Sequence, residues 1–195
     1  MNEITGEPSN DQFIQPMALK DYVVLVSDAL PADFMQELIN AAEEDGNWTA
    51  GTIRRSDLDP EVRACDVMTM SDGMGASLQR HRTALLRFIR QCGQLYVDRF
   101  PWFNGEGLEN PQLIRYGVDQ FYREHVDHGH LSRKLSVSIT LNDGYQGGEF
   151  SLFQGRLKLS TKPGDVLMFP SNFLFPHSVE PIYEGTRYAV VTWLR

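Results

Sequence analysis

The sequence predicts an α+β fold, a sandwich or barrel of short strands braced by helices that come first in the chain. Three observations carry this. Apolar residues recur at helical spacing through the first half, and from about residue 112 the rhythm changes to short strands between turns. One segment, "LSVSITLN" (135–142), alternates apolar and polar residues without a break. Many short strands imply a sandwich or barrel, and helices that precede them make the domain α+β.

The elements follow in order. Residues 1–16 are polar and carry no period, as in a flexible tail. "DYVVLVSDAL" (21–30) reads as a short strand. "PADFMQELINAAEE" (31–44) reads as a helix starting at Pro31, because proline suits the first turn, with Phe34, Met35, Leu38, Ile39 and Ala42 on one face. Residues 45–76 mix glycine, aspartate, proline and arginine, and read as loop with a short strand around "DVMTM". The longest helix spans 77–100, striped by Leu78, Leu85, Phe88, Ile89, Cys92 and Leu95 and stopped by Pro101. Cys92 reads as a small hydrophobe in that stripe, and His81, between two arginines, as a solvated residue. In 135–142, Leu135, Val137, Ile139 and Leu141 point one way and Ser136, Ser138 and Thr140 the other, toward either solvent or a wet internal cavity. "DGYQGGEF" (143–150) and "FQGR" (153–156) are tight turns, "KPGDVLMFP" (162–170) is a turn feeding an apolar strand, and "RYAVVTWL" (187–194) is the final strand. This organisation is one domain over 17–195, with helical support over 28–105 and the strand-built core mainly over 110–195.

Composition narrows the classes. A chain of 195 residues that is 42% hydrophobic and 23% charged builds a real core. Its net charge of -8 gives no general attraction for phosphate backbones, so no nucleic-acid partner is expected. No apolar run is long enough to span a membrane, and no signal-peptide pattern opens the chain. Cys65 and Cys92 have no metal-motif spacing. Two free thiols in a reducing cytoplasm are expected.

The chemistry-bearing residues crowd into "REHVDHGH" (123–130), which holds three of the five histidines. Residues two apart on a strand share a face, so His125 and Asp127 converge, while His128 points away and His130 lies in a turn after Gly129. A third ligand comes from elsewhere, and only His177 remains downstream. Two histidines and a carboxylate leave three positions on a metal open, the set expected for non-haem Fe(II) oxygenases. Three histidines alone would suit zinc better. An H-x-D pair by itself is common by chance and usually structural. Arg187 changes the weighing. It starts the last strand, where Arg187, Ala189, Val191 and Trp193 share a face. An arginine pointing into a barrel needs an anion, and a carboxylate is its best partner. Turning Arg187 to solvent would turn Trp193 outward as well.

The ordered set "YREHVD", "GGEF", "PGDVLMFPS", "PHSVEP" and "GTRYAVVTW" resembles the 2-oxoglutarate-dependent Fe(II) oxygenases, in particular the prolyl 4-hydroxylase-like branch. The resemblance covers roughly residues 110–195. It implies a double-stranded β-helix (jelly-roll) core, with His125, Asp127 and His177 as ligands of Fe(II) and Arg187 on the far carboxylate of 2-oxoglutarate. Tyr116, Thr140 and Ser138 are similarly expected at the cosubstrate, and Trp193 at the cavity wall. It implies hydroxylation of a substrate C–H with O2 and release of succinate and CO2, with ascorbate as an accessory reductant. Asp127 favours hydroxylation over halogenation, because halogenating relatives lack that carboxylate. The substrate expected from the resemblance is a prolyl residue in a peptide or protein, with a free amino acid or other small molecule as the alternative. Arg133, just before the cavity strand, is expected to reach a substrate carbonyl or carboxylate. Arg54, Arg55 and Arg63 form a basic rim in the covering segment, unless they only pair with Asp57, Asp59 and Glu61. Two further readings stand beside it: a non-catalytic jelly-roll binding module and a nucleic-acid base demethylase of the same superfamily.

Overall fold

The computed structural model describes residues 18–53, 57–129 and 132–195. The expected tail lies outside them, as do Arg54, Arg55 and His130. After a 3-10 turn at Leu19–Tyr22 come β1 (Val24–Val26), α1 (Ala32–Asp45), β2 (Thr49–Ala50), β3 (Arg63–Ala64), β4 (Asp66–Thr69) and α2 (Ala76–Arg99). The strands β5 (Gln112–Tyr116), β6 (Phe121–His125), β7 (Leu135–Thr140), β8 (Gln146–Gly147) and β9 (Phe150–Leu152) follow. The last are β10 (Leu157–Leu159), β11 (Val166–Pro170), β12 (His177–Val179), β13 (Ile182–Glu184) and β14 (Arg187–Leu194).

The helices end where local chemistry dictates. Pro31 occupies the N-cap of α1 in an extended conformation, so the helix begins one residue later than the proline. Gly46 closes it at φ 68°, a left-handed turn that its missing Cβ permits, and its N–H bonds to Ala42 O at 3.1 Å. On α2, Leu78, Leu85, Ile89 and Cys92 are buried as expected. Two positions differ from expectation. Leu95 is 52% exposed, and Tyr96 takes its place on the buried face. His81 is buried rather than solvated, because it lies three residues from Leu78 and four from Leu85, on the same stripe. Its Nδ1–H donates to Ser77 O at 2.9 Å and its ring leans on Phe34.

The strands form a jelly-roll. A seven-stranded sheet has the order β1-β11-β7-β14-β5-β4-β2, a five-stranded sheet β10-β9-β12-β6-β3, and β13 pairs with β8. The chain crosses between the two larger sheets repeatedly, from β3 to β4, β5 to β6, β6 to β7 and β11 to β12. The expected double-stranded β-helix is therefore present, with both helices bracing one face. The first half also supplies strands: β1, β2 and β4 extend the larger sheet and β3 the smaller.

The larger sheet separates two cores. Leu135, Val137 and Ile139 of β7 face α1 and α2, together with Leu38, Leu85 and Ile89. On the opposite face, Ser136, Ser138 and Thr140 are all buried, so the polar face of β7 looks into the space between the sheets and not into solvent. β14 alternates in the same way, with Val190 and Leu194 on the helix side and Arg187, Ala189 and Trp193 buried inward. Arg115 fastens α1 to the sheet: it donates to Asp66 at 2.9 Å and Glu43 at 2.9 Å and lies over the Trp48 ring.

The two faces of β7 predict different costs. Ile139→Ala, emptying a fully buried site under the helices, should destabilise by about 2–5 kcal/mol in urea unfolding. Ser138→Ala, on the inward face, should change stability by less than about 1 kcal/mol. Equal losses would contradict the assignment of faces.

Candidate active site

The site begins with one strand pairing. β12 pairs with β6 in antiparallel register, and His177 stands directly opposite His125. Their rings lie 4.2 Å apart, centre to centre. Both Nδ1 atoms face a backbone carbonyl two residues back, His125 to Arg123 O at 2.9 Å and His177 to Phe175 O at 3.1 Å. A carbonyl only accepts, so Nδ1 carries the proton in each ring and Nε2 is left with its lone pair. The two Nε2 atoms turn toward Asp127, at 3.7 Å from Oδ1 and 3.4 Å from Oδ2.

Asp127 arrives by a different route from the one strand parity predicts. β6 ends at His125, and Asp127 sits in the loop beyond it. Its position is fixed from β7: Ser136 Oγ donates to Asp127 Oδ2 at 2.6 Å and lies 2.8 Å from Ser171 Oγ. Ser136 has one proton and gives it to the carboxylate, so Ser171 donates to Ser136. The Trp193 indole nitrogen is buried close to the same carboxylate without an aligned hydrogen bond. His128 is exposed and outside the cluster.

Electrostatics suit a cation. Burial, and then the neighbouring His177, hold His125 well below the ordinary imidazole pKa, so it is neutral at pH 7. Burial raises Asp127, but His177, His125, the Ser136 hydroxyl and the Trp193 indole outweigh it, and the carboxylate is ionised. Two imidazoles and one carboxylate, with donor atoms within 4.8 Å of one another, form a group that can hold a metal ion. Phe150 and Phe169 wall the His177 ring at 5.3 and 4.7 Å.

The same interior buries a cation. Arg187 is 1% exposed, makes no salt bridge among the described residues, and its Nε has no hydrogen-bond partner. Gly148 makes room for it: a Cβ there would stand 3.0 Å from Arg187 Cδ and 2.5 Å from Ile182 Cδ1. Tyr116 pairs with Arg187 across β5 and β14, its ring 5.8 Å from the guanidinium carbon. Burial raises the Tyr116 pKa, so the phenol stays a neutral donor. Thr140 stands opposite Ala189, its Oγ1 2.6 Å from Thr161 Oγ1, and Ser138 is buried beside it. A buried guanidinium with an orphaned donor fits the carboxylate of a dicarboxylate cosubstrate.

Arg133 is placed differently from the expected rim. Its Nε and Nη2 donate to Glu109 at 3.0 and 2.7 Å, and its guanidinium carbon lies over Trp193, 3.4 Å from the ring centre. The Arg63 guanidinium makes no ion pair with Asp57, Asp59 or Glu61. It donates to Cys65 Sγ at 3.2 Å and Thr52 O at 2.8 Å. Sequence reasoning missed the Ser171–Ser136–Asp127 chain and the environment of Arg63, because both depend on neighbours far apart in sequence. The buried serine stripe was the available signal for the first.

A jelly-roll whose interior brings together a two-histidine, one-carboxylate cluster and an uncompensated arginine has the parts that iron-dependent oxygen chemistry with an acidic cosubstrate requires. The profile of the 2OG-Fe(II) oxygenase superfamily matches residues 111–195. A PKHD-type hydroxylase of Idiomarina loihiensis is 30% identical over 184 residues, covering 89% of this chain and 77% of the relative. A Pseudomonas putida prolyl-4-hydroxylase structure superposes with a TM-score of 0.72 at 21% identity, covering 89% of this chain and 92% of that one. A Trichoplax adhaerens prolyl hydroxylase, solved with a hypoxia-inducible-factor peptide fragment, superposes with a TM-score of 0.72 at 18% identity, covering 89% and 83%. The chain belongs to the 2-oxoglutarate/Fe(II) oxygenases, with PKHD-type hydroxylases among its relatives, and shares its fold with prolyl hydroxylases. It is an oxygenase of the hydroxylase type, and its family works with Fe(II), 2-oxoglutarate and O2.

Metal content reports on the cluster directly. His125→Ala, Asp127→Ala and His177→Ala should each lose Fe(II) in equilibrium dialysis under anaerobic conditions, while His128→Ala retains it. Ser136→Ala should weaken binding by about 10–100-fold, as loss of a ligand's hydrogen-bond partner does. Loss of metal in His128→Ala with retention in Asp127→Ala would contradict the cluster.

Proposed function

We propose that this oxygenase hydroxylates a C–H bond of a prolyl residue in a peptide or protein, with His125, Asp127 and His177 holding Fe(II) and Arg187 binding the distal carboxylate of 2-oxoglutarate. The observation that carries the cosubstrate assignment is the buried Arg187, whose charge lacks a counter-ion among the described residues and whose Nε lacks a partner. A bound dicarboxylate supplies both. When bound, iron and cosubstrate supply the oxidising chemistry: 2-oxoglutarate, O2 and R–H become succinate, CO2 and R–OH.

The chain's own residues do the rest. The carbonyls of Arg123 and Phe175 hold the imidazoles in the tautomer that presents Nε2. Ser136 holds Asp127 through a hydrogen bond to Oδ2. Two imidazoles and one carboxylate would hold Fe(II) and leave it positions for cosubstrate and O2. Arg187 would fix one end of 2-oxoglutarate, and Tyr116, Thr140 and Ser138 would offer it hydroxyls. Phe150 and Phe169 exclude water from the His177 side. Trp193, covered on one side by Arg133, offers an apolar wall for a pyrrolidine ring. Ascorbate would serve as accessory reductant.

The peptide reading also rests on apolar residues next to the site. Val126, between two site residues, is 37% exposed, and Phe173 and Leu174, in the loop before His177, are 75% and 42% exposed. Such a rim suits an extended chain better than a sealed small-molecule pocket. No helix is long and apolar enough to cross a membrane. The two cysteines are free and buried, which suits the reducing cytoplasm as the place of action.

Two experiments test this. Arg187→Met should raise the 2-oxoglutarate concentration needed for half-maximal succinate release by about 30-fold or more, since unpairing a buried charge costs about 2–5 kcal/mol, without loss of iron. An unchanged requirement would reject the role of Arg187. Proline-containing peptides should stimulate succinate release increasingly with length. Stimulation by a free amino acid and by none of the peptides would replace the prolyl assignment with the small-molecule one.

A further inference from the structure

We propose that Arg63 and Tyr122 are positioning residues for His125, and that through them Gly51, Thr52 and Cys65 set the affinity of the metal site. The inference rests on the reading of His125 as a metal ligand.

The pairing of β6 with β12 carries a register fault. Along β6 and β12, His125 faces His177 but Tyr122 faces Val179, so three residue steps on one strand match two on the other. This is a β-bulge. In an unbroken strand, residues three apart point to opposite faces. The extra residue rotates Tyr122 onto the face of His125, and the two rings stack at 3.5 Å between centres and 17° between planes. His125 needs that support. Its side chain is 17% exposed, against 5% for His177, which has Phe150 and Phe169 around it.

Arg63 completes the stack. It stands directly opposite Tyr122 in the β3–β6 pairing, and its guanidinium carbon lies 4.6 Å from the ring centre. A cation over the ring pins it by the attraction of charge to the ring quadrupole. The guanidinium is itself held: Nε donates to Cys65 Sγ at 3.2 Å and Nη1 to Thr52 O at 2.8 Å. Gly51 lets it lie there. A Cβ at residue 51 would stand 2.6 Å from Cys65 Sγ and 2.8 Å from Arg63 Nε. Thr52, Gly51 and Cys65 all belong to the segment over which sequence reasoning found only a loop and a short strand. One continuous stack therefore runs from that segment, through Arg63 and Tyr122, to the imidazole of His125. Rotation of His125 moves Nε2 away from the position where Asp127 and His177 converge.

Gly51→Ala is the informative variant, because it displaces Arg63 without altering any group in the stack. It is compared with Arg63→Met, Tyr122→Leu and Tyr122→Phe on two readouts. The first is the His125 ring-proton resonance of metal-free protein by NMR, which stacking on Tyr122 shifts upfield. The second is Co(II) affinity by competition with a chelator, with circular dichroism melting to exclude variants that have lost the fold. Tyr122→Leu should abolish the upfield shift and weaken Co(II) binding by about 10–100-fold. Gly51→Ala and Arg63→Met should reduce the shift and weaken binding about tenfold. Tyr122→Phe, which keeps the ring, should stay within about threefold of wild type. A shift that disappears while Co(II) affinity is unchanged would overturn the positioning role. No upfield shift in the wild type would overturn the stack itself. A wild type with the shift but no Co(II) binding would instead reject the metal reading on which the proposal rests.

Discussion

The site depends on a single pairing: His125 opposite His177 in the antiparallel contact of β6 with β12. Antiparallel register fixes two side chains from distant parts of the chain side by side on one face, without any loop having to hold them. Everything else converges on that pair. The carbonyls of Arg123 and Phe175 choose the tautomer. The loop leaving His125 needs only two residues to return with Asp127, and Ser136 on β7 catches the carboxylate. Moving the β6–β12 register by one residue would send one imidazole to the far face and dissolve the cluster.

The division of the interior follows from the larger sheet. Its helix side is apolar and carries stability, through Leu135, Val137, Ile139 and their partners on α1 and α2. Its inner side is where polar groups are buried: Ser136, Ser138, Thr140 and Arg187, with His177 buried on the smaller sheet. Each buried polar group has a cost unless it finds a partner, so a concentration of them marks function more than stability. Arg187 is the extreme case, with an orphaned Nε and a glycine opposite that makes room for its stem. Aromatic rings under arginines recur on both flanks of the cluster, Tyr122 beneath Arg63 beside His125 and Trp193 beneath Arg133 near Asp127.

Much of this was legible in the residues. The alternation in "LSVSITLN" and "RYAVVTWL" identified two strands and their inward faces, because period-two patterning survives folding unchanged. The partners of the cluster, His125, Asp127 and His177, were legible from type and order. Strand parity alone does not place Asp127, because β6 stops at His125 and the carboxylate is set by Ser136. Arg63 was not legible as a site neighbour. Its environment depends on β3 joining the smaller sheet, and a two-residue strand leaves no periodicity to read. Arg133 lies before β7 as expected, but Glu109, from the segment just before β5, takes its donors. His81 followed its helical position and not its polarity, and the stripe through Leu78 and Leu85 was the better guide.

The account's central claim is that one cavity holds iron at His125, Asp127 and His177 and orients 2-oxoglutarate against it through Arg187. A crystal soaked anaerobically with Fe(II) and 2-oxoglutarate tests it most directly, with anomalous scattering recorded at the iron edge. The account predicts one anomalous peak bonded to the two Nε2 atoms and an Asp127 oxygen, with the distal carboxylate of 2-oxoglutarate paired to the Arg187 guanidinium. An iron peak on other residues, or a cosubstrate whose distal carboxylate lies away from Arg187, would contradict it.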